Sequence, residues 1–284
     1  MKALDSCSMV IIDKDAEQPP VLASVEELRS LLYIIEHDVL PKTIHEVTVN
    51  GNKVFGAAIL KTKETQLEVV ANHDHVNEEE SGTSLTNEEK KEGEGTTPTT
   101  TTEHEVSASS SQCTKFTSAY DTVVISSNEE TICPLFHGEV KCIYDWCKVV
   151  PASDRGQEAR SSVFLATHEP CCMCVSSIVW SGFTKCYFLF PYTITAQQGI
   201  PHDNNTMHEL WGVPTYRKQN KYLSTACIID LVQSLPDHHY DNNDNDEKKE
   251  LLQTIDRLIS KYDILSKKYH TEKADNVNNS LVLG

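Results

Sequence analysis

The amino-acid sequence predicts an α/β protein, in which helices cover a mixed and mainly parallel β-sheet. The first observation is a set of short apolar runs with β-character, each too short for a helix. The second is that segments with helical spacing alternate with these runs, an order typical of strands joined by helices. The predicted strands cover residues 54–60, 67–71, 122–125, 163–166 and 186–190.

The first helix is predicted from a capping pattern followed by an apolar stripe. Residues 1–20 lack periodicity and end in Pro19-Pro20, so we expect a loose N-terminal arm. Ser24, followed three residues later by Glu27, is typical of a helix N-terminus. We expect Pro41 to end the helix, because proline disrupts a helix interior. The residues that recur at helical spacing are Leu28, Leu31, Leu32, Ile35 and Val39.

Residues 77–112 differ in composition from the rest of the chain. Glu, Thr, Ser and Gly dominate this segment, which includes Thr96-Thr97-Pro98 followed by four more threonines. Such a segment cannot bury enough apolar surface to offset the entropy of ordering it. We therefore predict a disordered acidic insertion within one domain of residues 21–236, since the entropy of closing a loop grows only slowly with its length.

In the second half of this domain, two helices are predicted to begin directly after strands. Pro134 leads to His137 at the start of a helix that runs to about Val149, and Cys171 opens the next helix. Further helices are predicted for residues 204–211 and 222–233.

A last amphipathic helix is predicted for residues 248–270, between a polar linker of residues 237–247 and a tail of residues 271–284. Its single apolar stripe favours packing on the domain. A helix that binds a partner or a second copy stays open as the alternative, although the stripe covers only about two heptads. The stripe consists of Leu251, Leu252, Ile255, Leu258, Ile259, Tyr262 and Leu265.

Cysteine content and hydropathy bear on the class of protein. The 284 residues include ten cysteines without a framework of spacings, and no apolar leader precedes them. This pattern predicts a reducing compartment, the cytoplasm, with the nucleus left open. No apolar run approaches the ~18 residues that a membrane span requires, so we expect no membrane association.

The charge of the chain argues against a polyanionic substrate. The insertion contributes −7 and residues 236–249 contribute −3 to the formal net charge of −17, which leaves −7 on the remainder. The one basic cluster, Arg217, Lys218 and Lys221, is interpreted as a solvated helix face. Since proteins bind nucleic acids largely by neutralising phosphates, a small neutral molecule is favoured over RNA or DNA.

One imidazole, two thiolates and one carboxylate form the most informative motif of the chain. His137 is followed by Glu139, and Pro170 precedes the pair Cys171 and Cys174. Three protein ligands on Zn²⁺ leave a fourth position open, as in catalytic zinc sites. A thiolate is also favoured at the positive end of a helix dipole, where both cysteines are expected. A closed zinc knuckle or a redox-active cysteine pair is the structural alternative.

These residues resemble the cytidine deaminase-like superfamily, within the branch that holds fungal cytosine deaminase, guanine deaminase and tRNA adenosine deaminase. The sequence His-Gly-Glu is similar to the cytosine deaminase form, and Glu-Pro-Cys-x-Met-Cys is more like the other two. The resemblance covers roughly residues 54–190, interrupted by the insertion. It implies a three-layer α-β-α fold, one catalytic zinc ion per chain and, usually, a homodimer.

The resemblance also implies roles for individual residues. His137, Cys171 and Cys174 are the expected zinc ligands, and Glu139 is the expected proton shuttle. An asparagine that follows a strand contacts the substrate in this branch, and Asn128 lies in such a place, nine residues before His137. Asn72 is the fallback, and an ordinary turn asparagine is the structural alternative for Asn128.

We therefore expect a zinc-dependent hydrolytic deaminase of a small aminated heterocycle, a nucleobase or nucleoside that is cytosine- or guanine-like. A zinc-bound hydroxide would attack the ring carbon and release ammonia. A tRNA adenosine-to-inosine deaminase, or one subunit of it, is the main alternative, because it would share every catalytic residue. A catalytically silent, zinc-stabilised scaffold is the third interpretation, and Glu139 argues against it.

Three consecutive apolar residues in the helix after Cys171 bear on assembly. Ile178, Val179 and Trp180 cannot all lie on one buried helix face. They must partly face a second apolar surface, either another helix of the same chain or the second subunit of a homodimer.

Overall fold

The computed structural model describes residues 22–63, 117–200, 202–236, 244–273 and 275 of the chain. Several predictions lie outside these residues: the arm 1–20, the strand 67–71, the insertion 77–112 and Asn72. The first part of the predicted linker, residues 237–243, and most of the tail 271–284 also lie outside them.

Five strands form one mixed sheet in the described part of the chain, in the order β2-β1-β3-β4-β5. Strand β1 runs antiparallel to both of its neighbours, whereas β3, β4 and β5 pair in parallel. Four strands therefore point the same way, and the predicted mixed, mainly parallel α/β sheet is confirmed. The strands are β1 (Gly56–Thr62), β2 (Tyr120–Ser127), β3 (Ser162–His168), β4 (Lys185–Phe190) and β5 (Ser224–Cys227).

The helices of the described residues lie before, between and after these strands. They are α1 (Val25–Ile34), a π-helical segment (Ile35–Val39), α2 (Leu40–Asn50), α3 (Gly138–Val149), α4 (Arg155–Ser161), α5 (Cys172–Trp180), α6 (Tyr192–Gln197), α7 (His202–Trp211), α8 (Ile228–Ser234) and α9 (Asp244–Lys273). No helix among the described residues is both long enough and apolar enough to span a membrane.

Strand side chains alternate between the two helical layers. In β1, Ala58 and Leu60 belong to the core that contains α1, α2, α8 and α9. Ala57 and Ile59 belong to the opposite core, which contains residues of α3 and α5. All seven residues of β3 are buried, as expected for a strand covered on both faces. The result is the three-layer arrangement of helices, sheet and helices.

The prediction that Pro41 ends the first helix is wrong. Ser24 caps α1 through the predicted capping box with Glu27, but the helical chain continues through Pro41 to Asn50. The backbone N–H of Leu40 donates to the carbonyl of Ile35, five residues back. Such a π-helical turn contains one extra residue, which moves the carbonyl that a proline ring would otherwise meet.

The predicted helix over residues 222–233 is also wrong in its first half. Residues Ser224–Cys227 form the edge strand β5, and only Ile228–Ser234 are helical. The strand has four residues, Ser, Thr, Ala and Cys, none of them a large β-branched or aromatic side chain. The parallel pairing with β4 determines the conformation of β5, and residues 224–227 show no sequence pattern that would predict a strand.

The last helix, α9, packs on the domain. It begins at Asp244, inside the predicted linker, and buries Leu258 and Tyr262 completely in the core beside α1 and α8. It also bonds to Gln198, whose side chain accepts a hydrogen bond from His168 (2.9 Å) and donates one to Asp263 of α9 (3.1 Å). A chain of polar contacts thus joins α9 to the end of β3.

Candidate metal centre

Two helix N-termini on the same face of the sheet present the predicted metal ligands. His137 is the N-cap residue of α3, and Cys171 is the N-cap residue of α5, both with extended backbone angles. Cys174 lies in the first turn of α5. The thiols therefore lie where the helix dipole favours a thiolate.

The three predicted ligand atoms converge on one point. Nδ1 of His137 lies 3.6 Å from Sγ of Cys171 and 3.7 Å from Sγ of Cys174, and the two sulfurs are 3.5 Å apart. Tetrahedral zinc, with bonds of about 2.3 Å to sulfur and about 2.0 Å to nitrogen, requires about 3.8 Å between sulfurs and about 3.6 Å from sulfur to nitrogen. The donor set therefore fits Zn²⁺.

The number of ligands fits an open site. Within the described residues, His137, Cys171 and Cys174 are the one group of three or more His, Cys, Asp or Glu side chains whose ligand atoms all lie within 4.8 Å of one another. A closed zinc knuckle has four protein ligands. Cys142 of α3, by contrast, is wholly buried, and burial raises the pKa of its thiol.

Glu139 lies beside this group of ligands. It belongs to the first turn of α3, is only 4% exposed, and its Oε2 atom accepts a hydrogen bond from Sγ of Cys174 at 3.4 Å. The structure thus brings the predicted proton shuttle to the predicted metal ligands. A carboxylate in this place can exchange protons with a molecule held at the open position of the metal.

Gly138 allows α3 to approach the sheet closely. A Cβ atom at this position would lie 2.8 Å from the backbone oxygen of Phe55 and 3.1 Å from Cα of Gly56. Both neighbours are backbone atoms at the start of β1, so they cannot move aside as a side chain would. Because Gly138 has no side chain, His137 and Glu139 can lie close to the backbone at the start of β1.

Asn128 follows β2 directly and lies against the same segment. It is completely buried, its backbone N–H donates to the carbonyl of Phe55, and its Oδ1 atom accepts a hydrogen bond from the N–H of Gly138. Its Nδ2 atom is buried and has no hydrogen-bond partner among the residues that the structure describes. An unsatisfied buried donor is costly by about 1–3 kcal/mol, so a bound molecule is its natural partner.

A carboxylate that the sequence analysis missed faces the other side of the His137 ring. Oε1 of Glu130 lies 3.6 Å from Nε2 of His137 and 3.0 Å from Nζ of Lys53. Burial lowers the pKa of His137, with an opposing contribution from Glu130, so the ring is neutral and able to bind a metal near pH 7. In the sequence, only its position between the predicted strand 122–125 and the helix that starts at His137 could have pointed to Glu130.

A second missed pair lies beside the cysteine segment. Lys218 forms an ion pair with Glu169, the residue two positions before Cys171. The Lys218 ammonium lies 4.2 Å from the centroid of the Tyr216 ring. The interpretation of the basic cluster as a solvated helix face is therefore wrong for Lys218, whose amine is buried, although Arg217 and Lys221 are exposed. Residues 212–223 are not helical, so the three side chains do not share a helix face.

Comparisons with known proteins give distant structural similarity. No family model matches the chain, and no curated protein sequence does. A guanine deaminase from Bacillus subtilis is 16% identical over 66% of this chain and 83% of its own, with a TM-score of 0.35. A guanine deaminase from Nitrosomonas europaea is 11% identical over 85% of this chain and 89% of its own, with a TM-score of 0.33.

A structure of a protein variant in complex with 8-azaguanine is also similar, with a TM-score of 0.36 and 11% identity over 85% of this chain and 88% of its own. The fold and the side chains define an α/β protein in which the partly buried His137 and the buried Cys171 and Cys174 lie beside the carboxylate of Glu139.

Proposed function

We propose that the chain is a zinc-dependent hydrolytic deaminase of a small aminated heterocycle, a nucleobase or nucleoside that is cytosine- or guanine-like. The observation that carries the proposal is the convergence of one imidazole and two thiol groups in a three-ligand geometry, with the Glu139 carboxylate 3.4 Å from Sγ of Cys174. A purely structural zinc site has no use for that carboxylate.

Each residue of the site has a chemical role in this proposal. His137, Cys171 and Cys174 hold the metal. When bound, zinc supplies a Lewis acid that makes water a nucleophile at neutral pH. Glu139 takes a proton from the attacking water and delivers protons to the ring nitrogen and to the departing amine. A carbonyl oxygen replaces the exocyclic amino group, and ammonia leaves.

Asn128 is the proposed substrate contact. Its Oδ1 atom is bonded to Gly138, so only its Nδ2 donor is free to bind a substrate. The substrate atom that it meets must therefore be an acceptor, such as the ring carbonyl oxygen that both cytosine and guanine carry.

We also propose that two copies of the chain form a homodimer through α5. Trp180, the last residue of this helix, is 89% exposed, whereas Ile178 is completely buried. Within the described residues, no other helix covers the Trp180 side chain. A large exposed aromatic residue of this kind is typical of interaction surfaces.

The test is metal analysis of the full chain combined with an ammonia-release assay. We expect about one zinc ion per chain, in keeping with the three-ligand site, and turnover of one of cytosine, guanine, adenine or their nucleosides. Cys171→Ser and Cys174→Ser should lose zinc and turnover, whereas Cys172→Ser, the matched control between them, should keep both. Zinc-free protein from the wild type, zinc retained in both ligand variants, or turnover of tRNA alone would each contradict the proposal.

A further inference from the structure

The two nitrogen atoms of the His137 ring face different chemical groups. Nδ1 points to the sulfurs of Cys171 and Cys174, at 3.6 and 3.7 Å. Nε2 points to the carboxylate of Glu130, whose Oε1 atom is 3.6 Å away. A neutral imidazole that binds a metal through Nδ1 carries its proton on Nε2, so the ring can donate a hydrogen bond toward Glu130.

Glu130 is held in this place by contacts with the segment before β1. It is only 3% exposed, and it bonds to Lys53 twice: Oε1 lies 3.0 Å from the ammonium and Oε2 accepts the Lys53 backbone N–H at 3.4 Å. The neighbouring Thr131 donates its backbone N–H to Asn52, at 3.1 Å. The loop before α3 is thus fixed to the segment before β1.

Burial of this ion pair needs an explanation, because a buried pair often contributes little to stability. Lys53 is 7% exposed and Glu130 3%, so the ammonium and the carboxylate are both largely shielded from solvent. The pair is electrically neutral, so it brings a carboxylate next to the imidazole without adding net charge beside two cysteine ligands. A carboxylate that accepts a hydrogen bond from the second ring nitrogen of a histidine ligand orients that ligand, and Glu130 has this position.

Resting on the proposed zinc site, we propose that Glu130 is a positioning residue of the metal centre. It accepts a hydrogen bond from Nε2–H of His137 and thereby holds Nδ1 toward the metal, while Lys53 holds the carboxylate. The present separation of 3.6 Å exceeds a normal hydrogen bond by roughly 0.5 Å. When the ring binds a metal, Nε2 and Oε1 move to hydrogen-bond distance.

The experiment compares zinc affinity and melting temperature of full-length variants, with a chromophoric chelator as the zinc competitor. In Lys53→Met/Glu130→Leu, both charges are replaced by apolar side chains, so neither charge is left buried alone. We expect zinc affinity to fall about 10- to 100-fold, the usual effect of losing such a partner, while the melting temperature is kept. Glu130→Gln retains an acceptor oxygen and should lose less affinity.

Glu129→Gln is the matched control. Glu129 is the preceding residue and also pairs with a buried lysine, Lys141, at 2.9 Å. Lys141 keeps Asp145 as a second partner, and the contacts of Glu129 within the described part of the chain do not include His137. This variant should bind zinc as the wild type does. Equal zinc affinity of the wild type and the double variant would overturn the proposal, as would an equal loss in Glu129→Gln.

The tautomer of His137 in the wild type tests the same role of Glu130 without any variant. Long-range ¹H–¹⁵N spectra of the zinc-loaded chain should show His137 with its proton on Nε2 and with slow solvent exchange. A proton on Nδ1, or exchange as fast as for an exposed ring, would overturn the role of Glu130. A wild type that binds no zinc would instead refute the proposed function.

Discussion

The side chain of Asn128 accepts a hydrogen bond from the backbone N–H of Gly138, the residue between His137 and Glu139. This contact fixes the orientation of the amide, because the N–H of Gly138 requires an acceptor. The loop that follows β2 and the first turn of α3 are therefore joined by one side chain. The same contact leaves the Nδ2 donor of Asn128 facing away from Gly138.

Asn128→Asp should separate these two roles. The carboxylate still accepts the hydrogen bond from Gly138, but the donor is lost, so we expect kcat/KM to fall about 10- to 200-fold at unchanged zinc content. Asn52→Asp is the control, since both ends of the Asn52 amide are bonded within the protein, to Glu46 and Thr131. That variant should lower the melting temperature and leave kcat/KM intact. Equal kinetic effects in both variants would remove Asn128 from the substrate site.

Glu139→Gln should retain zinc and lose turnover. The amide keeps the size of the side chain but cannot transfer protons, and general acid–base catalysis contributes about 10²- to 10⁴-fold to such reactions. Steady-state kinetics and metal analysis of the same preparation test this. A variant that keeps wild-type kcat would assign the proton transfer to another group.

Gly138→Ala should weaken both the fold and the metal site. The new Cβ would lie 2.8 Å from the backbone oxygen of Phe55, so α3 must move outward with His137 and Glu139. We expect a loss of about 1–3 kcal/mol in the free energy of unfolding, together with weaker zinc binding. Gly156→Ala is the control: a Cβ there would lie no closer than 3.7 Å to the Arg160 side chain, and that variant should be at least as stable as the wild type because alanine favours a helix more than glycine does.

Glu36 should make stability depend on pH in the acid range. Hydrogen bonds from Arg257 (2.7 Å to each oxygen) and Lys261 of α9 lower the pKa of Glu36 to about 2, from 4.5. A lowered carboxyl pKa stabilises the fold fully above pH 4.5, and this contribution is lost as the pH falls toward 2. Glu36→Gln should cost about 1 kcal/mol at pH 7, since the partner cations are half-exposed. Urea denaturation at pH 7, 4 and 3 should show the difference shrinking; a constant difference would contradict the pairing.

Trp180→Glu should convert the proposed dimer to a folded monomer. The side chain is 89% exposed, so a charge there does not disturb the core of one chain, but it would be buried in an interface through α5. Sedimentation and melting temperature test this. Trp211→Glu, at a 57% exposed position of α7, is the control and should stay dimeric. A Trp180→Glu variant that stays dimeric would show that the interface lies elsewhere. A monomeric wild type would contradict the proposed dimer.

The sheet and the two segments that carry the predicted ligands could be predicted because each depends on local patterns. Continuous apolar runs identified β1, β3 and β4, and the helical spacing of Cys171 and Cys174 places both thiols on one turn. The position of His137 could be predicted because helix α3 begins directly after it. The strands and the cysteine pair are determined by residues close together in the chain, whereas the meeting of His137 with Cys171, 34 residues away, was expected from the family motif that the two segments resemble.

Features that depend on distant contacts could not be predicted. Lys53 and Glu130 are 77 residues apart, and only the folded chain brings them together. Pro41 follows a π-helical turn that tertiary packing stabilises, against the usual preference of proline. The edge strand β5 takes its conformation from β4, because only Thr225 among its four residues favours a strand.

The contacts of Gln198 have a consequence for the order of events during synthesis. Its backbone carbonyl accepts hydrogen bonds from Ser266 (2.7 Å) and contacts His270 of α9 (2.9 Å), and its side chain connects to His168, just before the cysteine segment. A chain made from its N-terminus has all three predicted metal ligands before α9 exists. Because α9 packs in the helical layer opposite α3 and α5, its docking on Gln198 can complete the domain only after both segments that carry these ligands have been made.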